Sequence, residues 1–362
     1  MQLISYIAPG APATRREAEG KEPSLRLELG FTPRWYRQYL DIDFGRRYHT
    51  DPAYRRLAII AMRDLLAKRF PGSQIGRHDL KVPLDLLTGT YGACIVAGIY
   101  GVPIIYSSDG WPNCEPAYLA EGQLERLEPP DLASNPVFQN LLTQVDWIAR
   151  QEGRVEGFIN WQGVLNNAQR LCGERLFLDL FDNPGRCKRL FDCVTSTMID
   201  AAKQLHTHQR ITGFNPGFFT VSNCLVNMVS PGQYERFLLP HDRRIAEAFG
   251  CIGIHNCAWN ATPLFDAYAQ VPYVGYIDMG IESDFTLARK RFPTVRRALM
   301  YTPMDLVNKT LMEIEVDFKR AAEELSPCDI VLADIDAGTA DTRVIEALEM
   351  GKHLGQGRAV SR

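Results

Sequence analysis

Apolar residues recur along this chain at two alternating spacings. After Asp51-Pro52, Leu57, Ile60, Leu65 and Leu66 fall at helical intervals until Phe70-Pro71-Gly72 stops them. Pro136, behind Ser134-Asn135, opens a second predicted helix with Phe138, Leu141, Leu142, Val145 and Ile148 on one face. Asn183-Pro184 opens a third, through Leu190 and Val194 towards Leu205. A fourth starts at Ser230-Pro231, with Tyr234, Phe237, Leu238, Ile245 and Phe249 inward and Arg236, Arg243, Arg244 and Glu247 outward; Pro240 kinks it or ends its first part. Between the helices lie β-like runs at 155–160, 211–214, 250–257, 273–277, 298–301 and 330–335. This alternation predicts βα units on a parallel sheet.

Each run ends in a polar or small residue and a loop, as in a barrel with its chemistry at the strand C-termini. An open doubly wound sheet would alternate in the same way. However, no Gly-x-Gly-x-x-Gly and no Gly-x-x-x-x-Gly-Lys-Ser/Thr phosphate loop is present. The expected fold is therefore α/β, a single-domain (β/α)8 TIM barrel over residues 1–362. Residues 1–50 are expected to be an N-terminal extension that packs on or closes the barrel.

Composition narrows the function classes. Lys plus Arg number 40 against 43 for Asp plus Glu, and a net charge of −3 excludes a simple polybasic nucleic-acid binder. The uncharged stretch between Asp85 and Asp109 is long enough to test as a membrane span. Its glycines at 89, 92, 98 and 101, with Pro103, instead predict a buried helix turning at Gly101 into a strand over 102–107. Met1 to Arg16 has no basic segment followed by an apolar core, so no export signal is expected. Nine scattered cysteines, an odd number, fit reduced thiols in a cytoplasmic protein. Neither a nucleic acid nor a membrane is expected as a partner.

The sharpest chemical feature is Ile252-Gly253-Ile254-His255-Asn256-Cys257. In a strand, residues two apart project to the same face, so His255 and Cys257 would present an imidazole nitrogen and a thiolate together. That is half of a zinc site, and the competing reading is a buried cysteine beside a hydrogen-bonded histidine. A third ligand must come from elsewhere. Cys328 precedes the run 330–335 and would lie at the wrong end; Asp334 and Asp336 are carboxylate candidates, and Asp336 follows the run at the correct end. Asp336 reads equally as a turn residue.

Residues 160–347 resemble the uroporphyrinogen decarboxylase superfamily, and within it the cobalamin-dependent zinc methyltransferases. The resemblance rests on Gly163-Val164-Leu165-Asn166-Asn167-Ala168, on Gly173 to Pro184, on Val229 to Pro240, and on His255-Asn256-Cys257. Tyr276-Ile277-Asp278 and Tyr301-Thr302-Pro303-Met304-Asp305-Leu306 are similar to the family's sixth and seventh strand ends. The resemblance implies that His255 and Cys257 bind zinc, and that Asp336 stands where the family has a third, cysteine ligand. It also implies a methyl donor or acceptor that is a small molecule (an ether, amine or thiol). The partner it implies is a separate protein carrying a corrinoid, methylcobalamin in its methylated form; no Asp-x-His-x-x-Gly motif is found in this chain. Of the decarboxylases' Arg-Gln-Ala-Gly-Arg segment only Arg37-Gln38 remains. A metal-free decarboxylase and a non-catalytic ligand-binding barrel are the alternatives.

Other polar residues are candidates by position. Asp109 and Trp111 follow the run 102–107 and would face the mouth; Asp109 reads equally as a turn residue. Trp35, Tyr36 and Arg37 could wall an anionic or aromatic substrate, or form an amphipathic segment closing the barrel bottom. Asn160 and Asn223 could donate hydrogen bonds to substrate, and Asp278 could sit behind the metal. With His255 and Cys257, Asp109 and Asp278 form the expected catalytic set. His206-Thr207-His208, among Lys203, Gln204, Gln209 and Arg210, reads as a solvated helix end. No nucleophile-elbow sequence supports a Ser-His-Asp triad.

Overall fold

Leu25, Leu27 and Leu29 alternate with Arg26 and Glu28, and this period of two makes β1 (Leu25–Phe31). The N-terminal segment thus supplies a strand of the central sheet, and β1 pairs in parallel with the last strand. The computed structural model describes residue 18 and residues 20–71 and 82–356; the Met1–Arg16 stretch read for an export signal lies outside them. A short antiparallel hairpin follows, β2 (Ile104–Ile105) with β3 (Asn113–Cys114). Then come β4 (Phe219–Ser222), β5 (Ile252–His255), β6 (Val274–Met279), β7 (Arg296–Tyr301) and β8 (Cys328–Ile335). The six long-range strands form one parallel sheet in the order β1-β8-β7-β6-β5-β4. An isolated parallel bridge, Asp85 to Glu156, lies outside it.

The two faces of this sheet carry different chemistry. Leu27, Leu29, Val221, Ile252, Ile254, Ile277, Leu299, Ile330 and Leu332 join the helices in the main core. Residues of opposite parity, Tyr276, Ala298, Met300 and Val331, form a separate small cluster with Phe218 and Cys251. On that second face the strand C-termini turn polar: Ser222, His255 and Asp278 are all buried there. A sheet buried on both faces is what parallel strands under helices require.

The helices largely follow the predicted ends. They span Pro52–Arg69, Pro136–Glu152 and Pro184–Ile211. The Ser230 helix divides into Pro231–Phe237 and Leu239–Phe249, because Pro240 has no N–H to continue the ladder. The stretch 91–100 yields only the buried helix Ile95–Ile99, with Gly101 at φ +87° ending it. Residues 211–214 are not a strand: the helix runs to Ile211 and Gly213 turns it at φ +84°. The strand lies further on, at Phe219–Ser222, and 155–160 pairs only through Glu156. Among the described residues no helix is long and apolar enough to cross a membrane.

His206 also departs from expectation. The helix continues past it, so it shares a face with Ala202, Leu205 and Gln209 and is buried edge-on against Phe249, centroids 5.2 Å apart. Burial pushes its pKa down from 6.5 to about 4. Between those values the unfolded chain takes a proton that the folded chain refuses, so this residue costs stability as pH falls. His206→Phe should therefore gain on the parent by roughly 2 kcal/mol between pH 6.5 and pH 5 in urea unfolding. An unchanged difference between the two proteins would show that His206 is not held neutral.

Candidate metal centre

Three ligand atoms meet at the C-terminal ends of β4 and β5. One ligand atom from each of Cys224, His255 and Cys257 lies within 4.8 Å of the other two, the group of metal-ligating type found among the described residues. His255 is the last residue of β5 and is fully buried. Cys257 lies beyond the strand in a turn with φ +62°. The pair therefore converges through a left-handed turn, and not through strand alternation.

The surrounding residues hold this turn. Asp278, on the neighbouring strand β6, bonds His255 Nδ1 at 2.6 Å through one oxygen and accepts the Asn256 amide at 2.7 Å through the other. Tyr276, two residues earlier on the same face, donates to Asp278 at 3.0 Å, and Tyr268 donates to the Asn256 side chain at 3.0 Å. Gly280 passes so close that a Cβ there would collide with the Ala258 carbonyl. Gly280→Ala should cost about 1–3 kcal/mol and weaken metal binding as the Cys257 turn moves. Parent-like melting and metal affinity in that variant would contradict the close approach.

Cys224 is positioned from the other side. Asn223 donates its backbone N–H to the His255 carbonyl at 2.7 Å, extending the β4–β5 ladder one residue beyond Ser222. Its side chain donates to buried Asp242 at 2.9 Å, and Tyr234 donates to the same oxygen at 2.7 Å. Burial raises the Asp242 pKa to about 6, despite those donors.

The donor set suits a divalent metal. With Nδ1 committed to Asp278, His255 Nε2 is buried without a hydrogen-bond partner, beside the two sulfurs. A carboxylate behind one ring nitrogen fixes the imidazole and raises the basicity of the other. The Cys257 thiol is pulled down to about 4, first by the hydrogen bond from Cys224 and then by the His255 charge; burial opposes both. Cys224 is pushed well above its ordinary value by the same hydrogen bond and by burial. Burial lowers the His255 pKa, but Asp278 and Cys257 outweigh it and bring it to about 10. Two sulfurs and one imidazole nitrogen are donors of the type that holds zinc, and the three ligand atoms lie within 4.8 Å of one another.

Asp336 lies elsewhere. Its carboxylate accepts from the Thr32 hydroxyl at 2.7 Å and faces Arg34 at 3.7 Å, and it is not one of the three clustered residues. Asp334 is the carboxylate nearer the site. It sits at φ +56° where the β1–β8 register shifts, and burial followed by the Cys257 charge raises it to about 6. Cys328 begins β8 at the opposite end, as expected. Asp109 accepts from Ser107 at 2.9 Å and shares Arg34 with Asp336, at 3.7 Å.

The expected substrate residues separate. Trp111 and Asn160 line one cavity of about 200 Å³ with Gly89, Gly92, Gln162 and Arg170. Asn160 also accepts from Ser222 at 3.2 Å, which links this cavity to the strand beside His255. Trp35 is fully buried against Phe31, Tyr36 and Tyr39. Arg37 is partly exposed and pairs with Asp41 at 3.3 Å. Asn223 supports the metal site through Asp242, as described above.

Cys224 was not anticipated. With a strand expected at 211–214, Cys224 fell in no strand end; the run Phe218-Phe219-Thr220-Val221-Ser222, closed by Asn223-Cys224, was the available signal.

No known family profile matches the sequence, and no curated protein matches it by sequence. The fold is similar to that of a methyltransferase from Methanosarcina mazei, with a TM-score of 0.61 at 14% identity. The likeness covers 93% of this chain and 95% of that one. The chain therefore shares the α/β fold of a known methyltransferase over nearly its whole length.

Proposed function

We propose that this chain is a zinc-dependent methyltransferase that moves a methyl group between a small ether, amine or thiol and a corrinoid protein. The observation that carries the reading is the partnerless, buried His255 Nε2 beside two cysteine sulfurs, with its other nitrogen tied to Asp278. The likeness in fold to a methyltransferase supports it. The sequence resemblance to the zinc branch of the uroporphyrinogen decarboxylase superfamily supports it too. In this reading the fold is a single-domain (β/α)8 barrel, with the segments around Asp85 and Glu156 in the second and third strand positions, in a cytoplasmic protein.

Cys224, His255 and Cys257 would hold the zinc, in place of the His255, Cys257 and Asp336 set expected from sequence. When bound with one position open, zinc supplies Lewis acidity to a substrate oxygen, nitrogen or sulfur atom. The chain's own residues do the rest. Asp278 fixes the His255 tautomer by accepting the hydrogen bond from Nδ1. Asn160, Trp111 and Gln162 would orient the substrate in the adjoining cavity, and Asp109 would face its mouth. Asp334, whose carboxyl is raised by burial and by the Cys257 charge, would exchange a proton there.

The test is methyl transfer itself. Zinc-loaded protein, a reduced corrinoid protein and a panel of methyl ethers, methylamines and methyl thioethers should yield methylcobalt absorbance, lost in Cys257→Ser. A zinc-loaded protein that supports no methyl transfer in either direction would overturn the proposal.

A further inference from the structure

A second pair of sulfurs lies apart from the metal centre. Cys94 immediately precedes the buried helix Ile95–Ile99, and Cys114 closes the β2–β3 hairpin. Arg170, from the helix Val164–Cys172, brings one guanidinium nitrogen, Nη1, to 3.2 Å from Cys94 Sγ and 3.3 Å from Cys114 Sγ. The same nitrogen donates to the Ala93 carbonyl at 2.5 Å, which fixes it in place. The two cysteines also hydrogen-bond to each other, and Cys94 Sγ lies 3.3 Å from the Pro112 carbonyl.

This arrangement assigns different roles to the two thiols. Cys94 is fully buried, with its Sγ 3.3 Å from the Pro112 carbonyl, whereas Cys114 is partly exposed. A permanent guanidinium charge beside two sulfurs disfavours a metal cation and favours a thiolate. Arg170 also forms part of the wall of the 200 Å³ cavity, where the buried Trp111 Nε1 has no partner.

We propose that Cys94 and Cys114 form a reactive dithiol whose substrate is a small organic disulfide, with Cys114 as the attacking thiolate and Cys94 as the resolving thiol. In the first step the Cys114 sulfur bonds to one sulfur of the disulfide, whose S–S bond breaks and releases one thiolate. Cys94 then gives up its proton and attacks the Cys114 sulfur, expelling the second thiolate. The protein loses two electrons and two protons to form a Cys94–Cys114 disulfide, and the small disulfide becomes two thiols. The electrostatics agree with these roles. The hydrogen bond from Cys94, then Arg170, lowers the Cys114 pKa to about 6 against burial, while the same hydrogen bond and burial raise that of Cys94. Oxidation would leave the Arg170 charge uncompensated at the cavity wall.

The sequence makes the product easy to read. No Lys or Arg lies between Lys81 and Arg126, so trypsin releases Cys94 and Cys114 in one peptide that has no other cysteine. Glutathione disulfide added to the folded protein should yield peptide 82–126 lighter by two hydrogens. Cys114→Ser should abolish the change. Arg170→Met should slow alkylation of Cys114 by iodoacetamide at pH 7 about tenfold, and Arg170→Lys should restore it. A parent peptide that stays fully reduced, or that stops as a glutathione adduct on Cys114, would overturn the proposal. The readout involves no methyl transfer, so it stands or falls separately from the metal-centre reading.

Discussion

Cys257→Ser is expected to lower zinc affinity by about two to four orders of magnitude. A three-ligand site shares a binding free energy of roughly 10–16 kcal/mol, and the thiolate already formed at Cys257 carries about a third of it. Cys224→Ser should weaken binding comparably, and the double variant should retain no zinc through gel filtration. Competition with a chromogenic chelator measures each affinity. The same ligands fix the pH dependence. Cys257, held down to about 4, carries no proton at pH 7, whereas Cys224 lies well above its ordinary value and His255 at about 10. Zinc uptake at pH 7 must therefore displace about two protons, and affinity should rise up to about a hundredfold per pH unit. Affinity that is flat between pH 6 and pH 8 would contradict these protonation states.

The second large effect concerns Asp278. Both it and His255 are fully buried, joined at 2.6 Å. Asp278→Ala would strand the imidazole Nδ1 and the Asn256 amide without acceptors, and should cost about 3–5 kcal/mol in urea unfolding. Asp278→Asn keeps an acceptor, so most of that stability should return while zinc affinity stays about tenfold to a hundredfold low. If Asp278→Ala were as stable as the parent, Asp278 would not be the group that holds His255.

The fold was legible where helices announce their ends. Asp51-Pro52, Asn135-Pro136, Asn183-Pro184 and Ser230-Pro231 each cap the helix expected of them, because a side-chain oxygen before proline suits a first turn. Strand positions were less legible. β1 was hidden in a presumed extension, although Leu25, Leu27 and Leu29 alternate cleanly. The expected strand at 211–214 was taken by the end of a long helix, whose last residue is Ile211, and by the turn at Gly213. That shift also concealed Cys224, since a ligand at a strand end is visible only when the strand is found. His255 and Cys257 were recognised, yet the strand-alternation argument for them does not hold. Asp336 was chosen because it follows the run 330–335 and stands where the resemblance has the third ligand, whereas the strand is irregular there: Asp334 adopts φ +56° and the register shifts. No periodicity in the sequence marks that irregularity.

Cobalt substitution tests the central claim most directly. Thiolate-to-cobalt charge-transfer absorbance scales with the number of bound cysteines, so the cobalt-loaded parent should show two thiolates in a tetrahedral site. Cys224→Ser should halve that band. An undiminished band in Cys224→Ser, or cobalt that remains octahedral without thiolate absorbance, would contradict a centre built from Cys224, His255 and Cys257.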